Sequence, residues 1–293
     1  MRYETYKIHT GNLRKEIYLH DFSISVHDIP EHPDYPEHTH EFTELVIICE
    51  GSGINCVNQF EYPIAAGDVF VVHAGQVHAY KETEHLHLCN VLFDSSLLDF
   101  KGIDMSHLPG FHALFLLEPN LRKTNFNSRL HLQGPDLIKA RAIIEELEQE
   151  VDEQKPGFRL ISQSLLLLLI GKLSRWYAQV TREDSAKLML IAKSLAHMEQ
   201  TLYEPLSIQQ LAKIANMSER SFYRTFQKAT GMSPNQYLTN LRISQAAELL
   251  IHSDASVTEI AFECGFQDSS YMTKQFKKQM QVTPSMFRKI NRR

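Results

Sequence analysis

The chain has 293 residues, 43% hydrophobic and 22% charged, the balance of a soluble globular protein long enough for two domains with separate cores. Its first residues, MRYETYKIHTGNLRKE, contain no apolar signal core, and the longest apolar run, Leu165 to Ile170, is far short of the roughly 20 residues of a membrane span, so a cytoplasmic protein without membrane contact is expected. The net charge of −5 conceals an asymmetry: from Ala186 onward 14 Lys+Arg stand against 8 Asp+Glu, and before it 16 stand against 27. A basic half suits phosphate, and an acidic half suits another task. Thirteen of the 15 histidines precede residue 132, which places recognition or chemistry in the front half. Four cysteines (49, 56, 89 and 264) lack CxxC spacing and read as free thiols, with Cys49 and Cys56 able to face each other across a hairpin.

Residues 1 to about 20 are polar and read as an arm. Phe22 to Val26 alternates with period two, as a strand does, and Pro30, Pro33 and Pro36 then signal a loop. Short strand-like runs follow at Phe42–Cys49, Gly53–Val57, Gln59–Ile64, Asp68–His73, His78–Lys81 and Leu86–Phe93, separated by EGSG, VNQ, AAGD and HAGQ turns. Such spacing indicates a sandwich or barrel. His38, His40 and Glu44 are even numbers apart, so a single strand would aim all three at one face. Resemblance to the two cupin motifs adds His78 to them, which implies three imidazoles and a carboxylate together, a set that suits a divalent transition metal with an open position. The same groups serve equally as metal-free walls that hydrogen-bond the hydroxyls of a small ligand, or stand as an inert remnant. Their spacing, with Gly51, Gly67 and Gly75, resembles the two cupin motifs, which implies that the four side chains meet inside a small β-barrel. The sequence departs from that pattern at His73, where a proline is usual, and at Glu82, where an asparagine often stands.

From Gly134 the period becomes helical. Leu137, Ala140, Ile143, Ile144, Leu147 and Val151 form one stripe, with Asp136 as a cap. Lys155-Pro156-Gly157 breaks the helix, and Phe158 to Val180 forms a second one, apolar nearly all round. A helix with two apolar faces is explained by a symmetric dimer, the alternative being a wholly intramolecular cap. The expected organisation is a β-rich domain over residues 1–133, a helical dimerisation segment over 134–180, a linker over 181–187 and a further domain over 188–293.

The last stretch contains one pattern twice. Ser207 to Leu238 and Ser256 to Phe287 align with Ala212 on Ala261, Phe226 on Phe276, Ser233-Pro234 on Thr283-Pro284 and Tyr237 on Phe287. The one extra residue falls at a turn, the mark of a duplicated unit. In each copy a cap (Ser207 or Ser256) opens a short helix, and a second cap (Ser218 or Asp268) opens another with two inward residues, Phe222 and Phe226 or Met272 and Phe276. These are two helix-turn-helix units, about 207–228 and 256–278, joined by a helix near Pro234 to His252. The outward residues of the second helices, Arg220, Tyr223, Arg224 and Lys228, then Ser269, Ser270, Thr273, Lys274 and Lys277, suit base edges and phosphates in a major groove.

Over roughly Leu188 to Arg288 the chain resembles the DNA-binding domain of the AraC/XylS family of bacterial transcription regulators, through Arg242…Ala246-Ala247…Leu249-Leu250, Ile260-Ala261…Cys264-Gly265-Phe266, Tyr271…Phe276-Lys277 and Thr283-Pro284…Phe287-Arg288. EHTHEFTELVIICEGSG, YPIAAGDVFVVHAGQVHAY, NVLF and Leu108-Pro109-Gly110-Phe111 resemble the sensor of the rhamnose-operon activators within that family. The resemblance implies an α+β chain: a cupin-like barrel with a two-helix dimerisation segment, then an all-α domain with two helix-turn-helix units. It implies a dimeric, non-enzymatic activator that contacts DNA, RNA polymerase and a monosaccharide such as rhamnose, with His38, His40, Glu44 and His78 in the effector site. The competing readings are a metal-dependent cupin enzyme on a DNA-binding tail, with His73, His85 or His87 as its base, and a regulator governed by protein contacts alone.

Overall fold

The computed structural model describes residues 4–10, 13–19, 24–57, 60–94, 104–121, 130–179 and 183–292. The chain divides into two compact units, Met1–Ala192 and Lys193–Arg293. Among the described residues no helix is long and apolar enough to cross a membrane.

The first unit opens with β1 (Glu4–Thr10) and β2 (Leu13–Leu19), an antiparallel ribbon where the sequence suggested a polar arm. Seven further strands form one sheet: β3 (Ile24–Ile29), β4 (Tyr35–His38), β5 (Thr43–Val57), β6 (Phe60–Ala65), β7 (Asp68–Val72), β8 (His78–Phe93) and β9 (Leu130–His131). Phe22 and Gln59, expected to start strands, lie outside the described residues. The EGSG segment is a bend within β5 rather than a turn between two strands. The β5–β8 register shifts between Ile48 and Ile54, and Gly51 takes φ 74°, where a Cβ would run into the His85 carbonyl oxygen. Glu82 and His85, opposite, are also left-handed, at φ 50° and 46°. The bend divides the sheet into β3-β8-β5-β7-β9 and β4-β8-β5-β6, two halves that share the long strands.

Val46, Ile48, Phe70, Val72, Leu86 and Leu88 from one half pack with Ile64 and Tyr80 from the other in a single buried cluster, the interior of the barrel. The alternate residues Leu45, Ile47, Val69, Val71 and Val91 are equally buried on the outer face. There α2 (Glu118–Leu121) packs on β7 and α3 (Gly134–Glu153) on β3. A strand buried on both faces reads as a continuous apolar run, which is why TELVIIC shows no alternation. A helical segment not foreseen from sequence precedes β9: α1 (Pro109–Phe111), a π-helical stretch (His112–Leu117), then α2. FHALFLLEP is apolar all round and carries an internal proline, so it has no readable period.

α3 begins at Gly134 with Gln133 as N-cap; Asp136, expected to be the cap, lies in the first turn and pairs with Lys139 at 3.0 Å. Its stripe Ala140, Ile143, Ile144, Leu147 and Val151 is buried. α4 (Phe158–Tyr177) packs on α3 and buries Leu165, Leu166, Leu169, Ile170, Leu173 and Tyr177, while Leu160, Ile161 and Leu168 are exposed.

The expected linker at 181–187 is corrected in part. Residues 181 and 182 lie outside the described residues, and from Glu183 the chain is helical as α5 (Glu183–Gln200).

The second unit adds α6 (Ile208–Ile214), α7 (Glu219–Thr230), α8 (Pro234–His252), α9 (Val257–Glu263), α10 (Ser269–Met280) and α11 (Pro284–Asn291). Six side chains cap these six helices. Ser207, Ser233 and Ser256 close capping boxes with Gln210, Gln236 and Glu259, and Ser218, Asp268 and Thr283 accept backbone N–H groups. Each such cap contributes about 1 kcal/mol and fixes where its helix starts. The copies correspond in their packing too: Phe226 meets Tyr237 edge-on at 5.7 Å, and Phe276 meets Phe287 at 5.4 Å.

Candidate effector pocket and DNA-reading surface

His38, His40, Glu44 and His78 come together at one end of the barrel, all nearly inaccessible. They do not arrive by alternation along one strand, as the spacing suggested. His38 ends β4, His40 follows it, a bend at residues 41–42 intervenes, and Glu44 lies in β5 on the face of Val46 and Ile48. The bend is held by His40 itself, whose Nδ1 donates to the Phe42 carbonyl at 2.8 Å while its ring stacks on Phe42 at 4.2 Å. His78 begins β8 directly opposite His38, with ring centroids 4.0 Å apart.

All three imidazoles are oriented alike. His38 Nδ1 donates to the Pro36 carbonyl at 2.9 Å, His40 to that of Phe42, and His78 to that of Gln76 at 3.2 Å. In the neutral rings this leaves each Nε2 as a lone pair. His40 Nε2 and His78 Nε2 each lie 3.3 Å from the same Glu44 Oε2, the second without hydrogen-bond alignment, and Asn90 donates to Glu44 Oε1 at 2.5 Å. Facing a carboxylate, each Nε2 carries a proton of its own or needs a positive or protic group between the two. Burial alone would raise the Glu44 pKa, but His40 and His78 outweigh it and hold the carboxyl well below its usual range. Burial, then the neighbouring His78, lowers the His38 pKa to about 4, so His38 stays neutral at pH 7.

Donor atoms of His40, Glu44 and His78 lie within 4.8 Å of one another, a set that fits a divalent transition metal; His38 stands beside this trio rather than in it. The three histidines considered as an enzymatic base are elsewhere: His73 Nε2 donates to the Phe115 carbonyl at 2.8 Å, His85 is exposed, and His87 pairs with Asp28 at 2.6 Å. Glu82, at a site where cupins often carry asparagine, occupies the left-handed conformation that asparagine tolerates better. Cys49 and Cys56 do not face each other. Cys49 meets Cys89, and Cys56 lies opposite Glu61 and Ala79.

In the second unit Arg220, Tyr223, Arg224 and Lys228 are exposed on α7, opposite the buried Phe222 and Phe226. On α10, Ser270, Lys274 and Lys277 are exposed and Ser269 and Thr273 half-buried, opposite Met272 and Phe276. Sequence reasoning missed a paired device that holds these helices in place. Arg242 donates from Nε to the Leu202 carbonyl and from Nη2 to that of Glu204, at 2.7 and 2.8 Å. Fifty residues later Arg292 donates to the carbonyls of Ile251 and Ser253. Extending the repeat beyond Phe287 was the signal that would have found it. Glu259 and Asp268 are engaged in caps.

A bent sensor barrel and a tandem pair of capped helix-turn-helix units, on one chain, define a DNA-binding transcription regulator. Residues 26–170 match the AraC-like ligand binding domain, and residues 211–290 match the Helix-turn-helix domain. The chain is 30% identical over 270 residues to the HTH-type transcriptional activator RhaR of Escherichia coli (strain K12), which covers 92% of both proteins, and equally to that of Shigella flexneri. It belongs to the AraC family. Among solved structures, the DNA-binding domain of AdpA in complex with a target DNA is 36% identical over 34% of this chain and 90% of that one, with a TM-score of 0.33. An AraC-type regulator from Chromobacterium violaceum is 26% identical over 35% and 91%, with a TM-score of 0.34.

Proposed function

We propose that this protein is a cytoplasmic, non-enzymatic activator of sugar catabolism genes that responds to a monosaccharide, L-rhamnose foremost. The observation that carries the reading is the trio of imidazoles whose Nδ1 atoms are committed to backbone carbonyls while Nε2 of His40 and of His78 faces the Glu44 carboxylate. Sugar hydroxyls are protic and bind both imidazole nitrogens and carboxylates, so a polyhydroxylated ligand suits this set of groups. A divalent transition metal does the same through His40, Glu44 and His78, with an open position for a ligand oxygen, and the unaligned Nε2 of His78 favours this second arm.

On DNA, Arg220, Tyr223 and Arg224 read bases from α7, and Ser269, Ser270, Thr273 and Lys274 from α10. Lys228 and Lys277 hold phosphates. The exposed Leu160, Ile161 and Leu168 of α4 form the homodimer contact, and RNA polymerase is the partner at the promoter. Effector acts by binding one of two states more tightly, which biases the equilibrium between them.

The test is a thermal-shift screen of the full chain against monosaccharides, with and without divalent metal. A binder at 100 times its Kd stabilises by about 2.7 kcal/mol. A selective shift with L-rhamnose, lost in His78→Ala, is expected. A shift with metal alone and none with any sugar would overturn the sugar reading.

A further inference from the structure

A second group of metal-binding side chains lies on the outer face of the same sheet, remote from the histidine pocket in chemistry and in the direction it faces. Asp28 of β3 stands directly opposite Cys89 of β8, and Cys49 of β5 is one diagonal step away, since Ile47 is the cross-strand neighbour of Cys89. The two sulfurs are 3.3 Å apart, and Cys89 Sγ donates to Asp28 Oδ1 at 3.0 Å. His87 Nε2 lies 2.6 Å from that same oxygen. Both sulfurs and one ring nitrogen of His87 fall within 4.8 Å of one another.

We propose that Cys49, His87 and Cys89, with the Asp28 carboxylate as fourth donor, form a binding site for a thiophilic divalent ion of the zinc class. Four donors from three adjacent strands surround one point, two of them thiols, and thiolate ligands select such ions over magnesium or calcium. Bonds of about 2.0–2.3 Å to a tetrahedral centre place neighbouring donors about 3.3–3.8 Å apart. The Cys49–Cys89, Cys89–Asp28 and His87–Asp28 separations, 3.3, 3.0 and 2.6 Å, are about 0.5–0.7 Å shorter than that, as in a set drawn together by hydrogen bonds that an ion replaces. Binding releases the two thiol protons to water and leaves two thiolates and a carboxylate around a doubly charged ion. The net charge of −1 faces Arg141 of α3, which acts electrostatically on both Asp28 and Cys49. Both cysteines are buried, and the Asp28 side chain is 36% exposed, so an ion enters past the carboxylate. Once loaded, the site ties β3, β5 and β8 together beside the bend in β5.

Cobalt(II) is the probe, titrated into the reduced, metal-free full-length chain. One equivalent is expected to give thiolate-to-cobalt charge-transfer absorption in the near ultraviolet with the visible bands of a tetrahedral centre, and zinc(II) to abolish both. The spectrum should persist in the double variant His40→Ala/His78→Ala, which silences the barrel pocket, and vanish in Cys49→Ser and in Cys89→Ser. The absence of thiolate bands in the wild-type chain, which needs no variant to fold, overturns the proposal. Their survival in both serine variants overturns it as well, as does their loss in the barrel variant alone. So does a Cys49–Cys89 disulfide that forms in air and is not prevented by bound zinc(II).

Discussion

Arg224 and Arg292 have the same side chain and opposite duties. Arg224 is exposed on α7, whereas Arg292 directs its guanidinium at the carbonyls that end α8 and pairs with Asp254 at 2.8 Å. Arg242 repeats that second role at Leu202 and Glu204. Part of the basic charge of the C-terminal half therefore serves the fold, and composition alone overstates what faces DNA. Arg224→Ala is expected to cost about 1–3 kcal/mol on the operator and to relax specificity at a single base pair, as measured by binding to a panel of single-position operator variants. Uniform weakening across the panel would make Arg224 a phosphate contact. That these arginines differ was not legible from the sequence, where both simply follow a helical pattern. The candidate pocket was legible as a set of four, but not its geometry: the shared Nδ1 commitments and the step of His38 out of the trio depend on backbone carbonyls that no residue spacing reveals.

At the scale of elements, the two helix-turn-helix units solve one backbone problem with different residues. Asn216 and Gly265 hold the same turn position, at φ 49° and 78°, each followed by an amide that bonds back to Ala212 or Ala261. Asparagine tolerates this conformation, but Gly265 has a further constraint: a Cβ there would lie 2.8 Å from the Tyr203 carbonyl oxygen and 2.9 Å from that of Leu202. Gly231, also left-handed at φ 74°, has open space where its Cβ would be. Gly265→Ala is therefore expected to destabilise by about 2–3 kcal/mol, and Gly231→Ala by about 1 kcal/mol, in urea unfolding followed by circular dichroism. Equal costs would show that φ alone decides and that the close approach is immaterial. The caps of this region were the most legible part of the chain, because a Ser, Thr or Asp at each helix start acts within three residues of itself.

At the scale of the whole molecule, α4 presents Leu168 at 46% and Leu160 at 72% exposure beside its buried face. Isolated exposed leucines are ordinary; several on one helix that already buries a stripe against α3 are the surface proposed above to meet a second copy. Leu168→Glu is expected to convert a dimer to a monomer in sedimentation velocity while the thermal midpoint of the sensor changes little, since the side chain is not part of the core. A dimer that survives the substitution would move the interface off this face of α4.

The sequence by itself determined the class of this protein. Its repeat, its caps and its two periodicities are local signals, set by interactions that span three or four residues along a helix or two along a strand, and they carry the paired helix-turn-helix units and the β-rich front half. Tertiary structure decided what depends on contacts distant in the chain. It made single bent strands of β5 and β8 where turn residues suggested four, because Gly51 can adopt φ 74° within a continuous ladder. It set Cys49 beside Cys89, 40 residues apart, rather than across a hairpin from Cys56, because strand pairing rather than proximity in sequence brings thiols together. It also gathered the histidines by a bend and a cross-strand pair rather than by alternation, which is why their identity was readable and their arrangement was not.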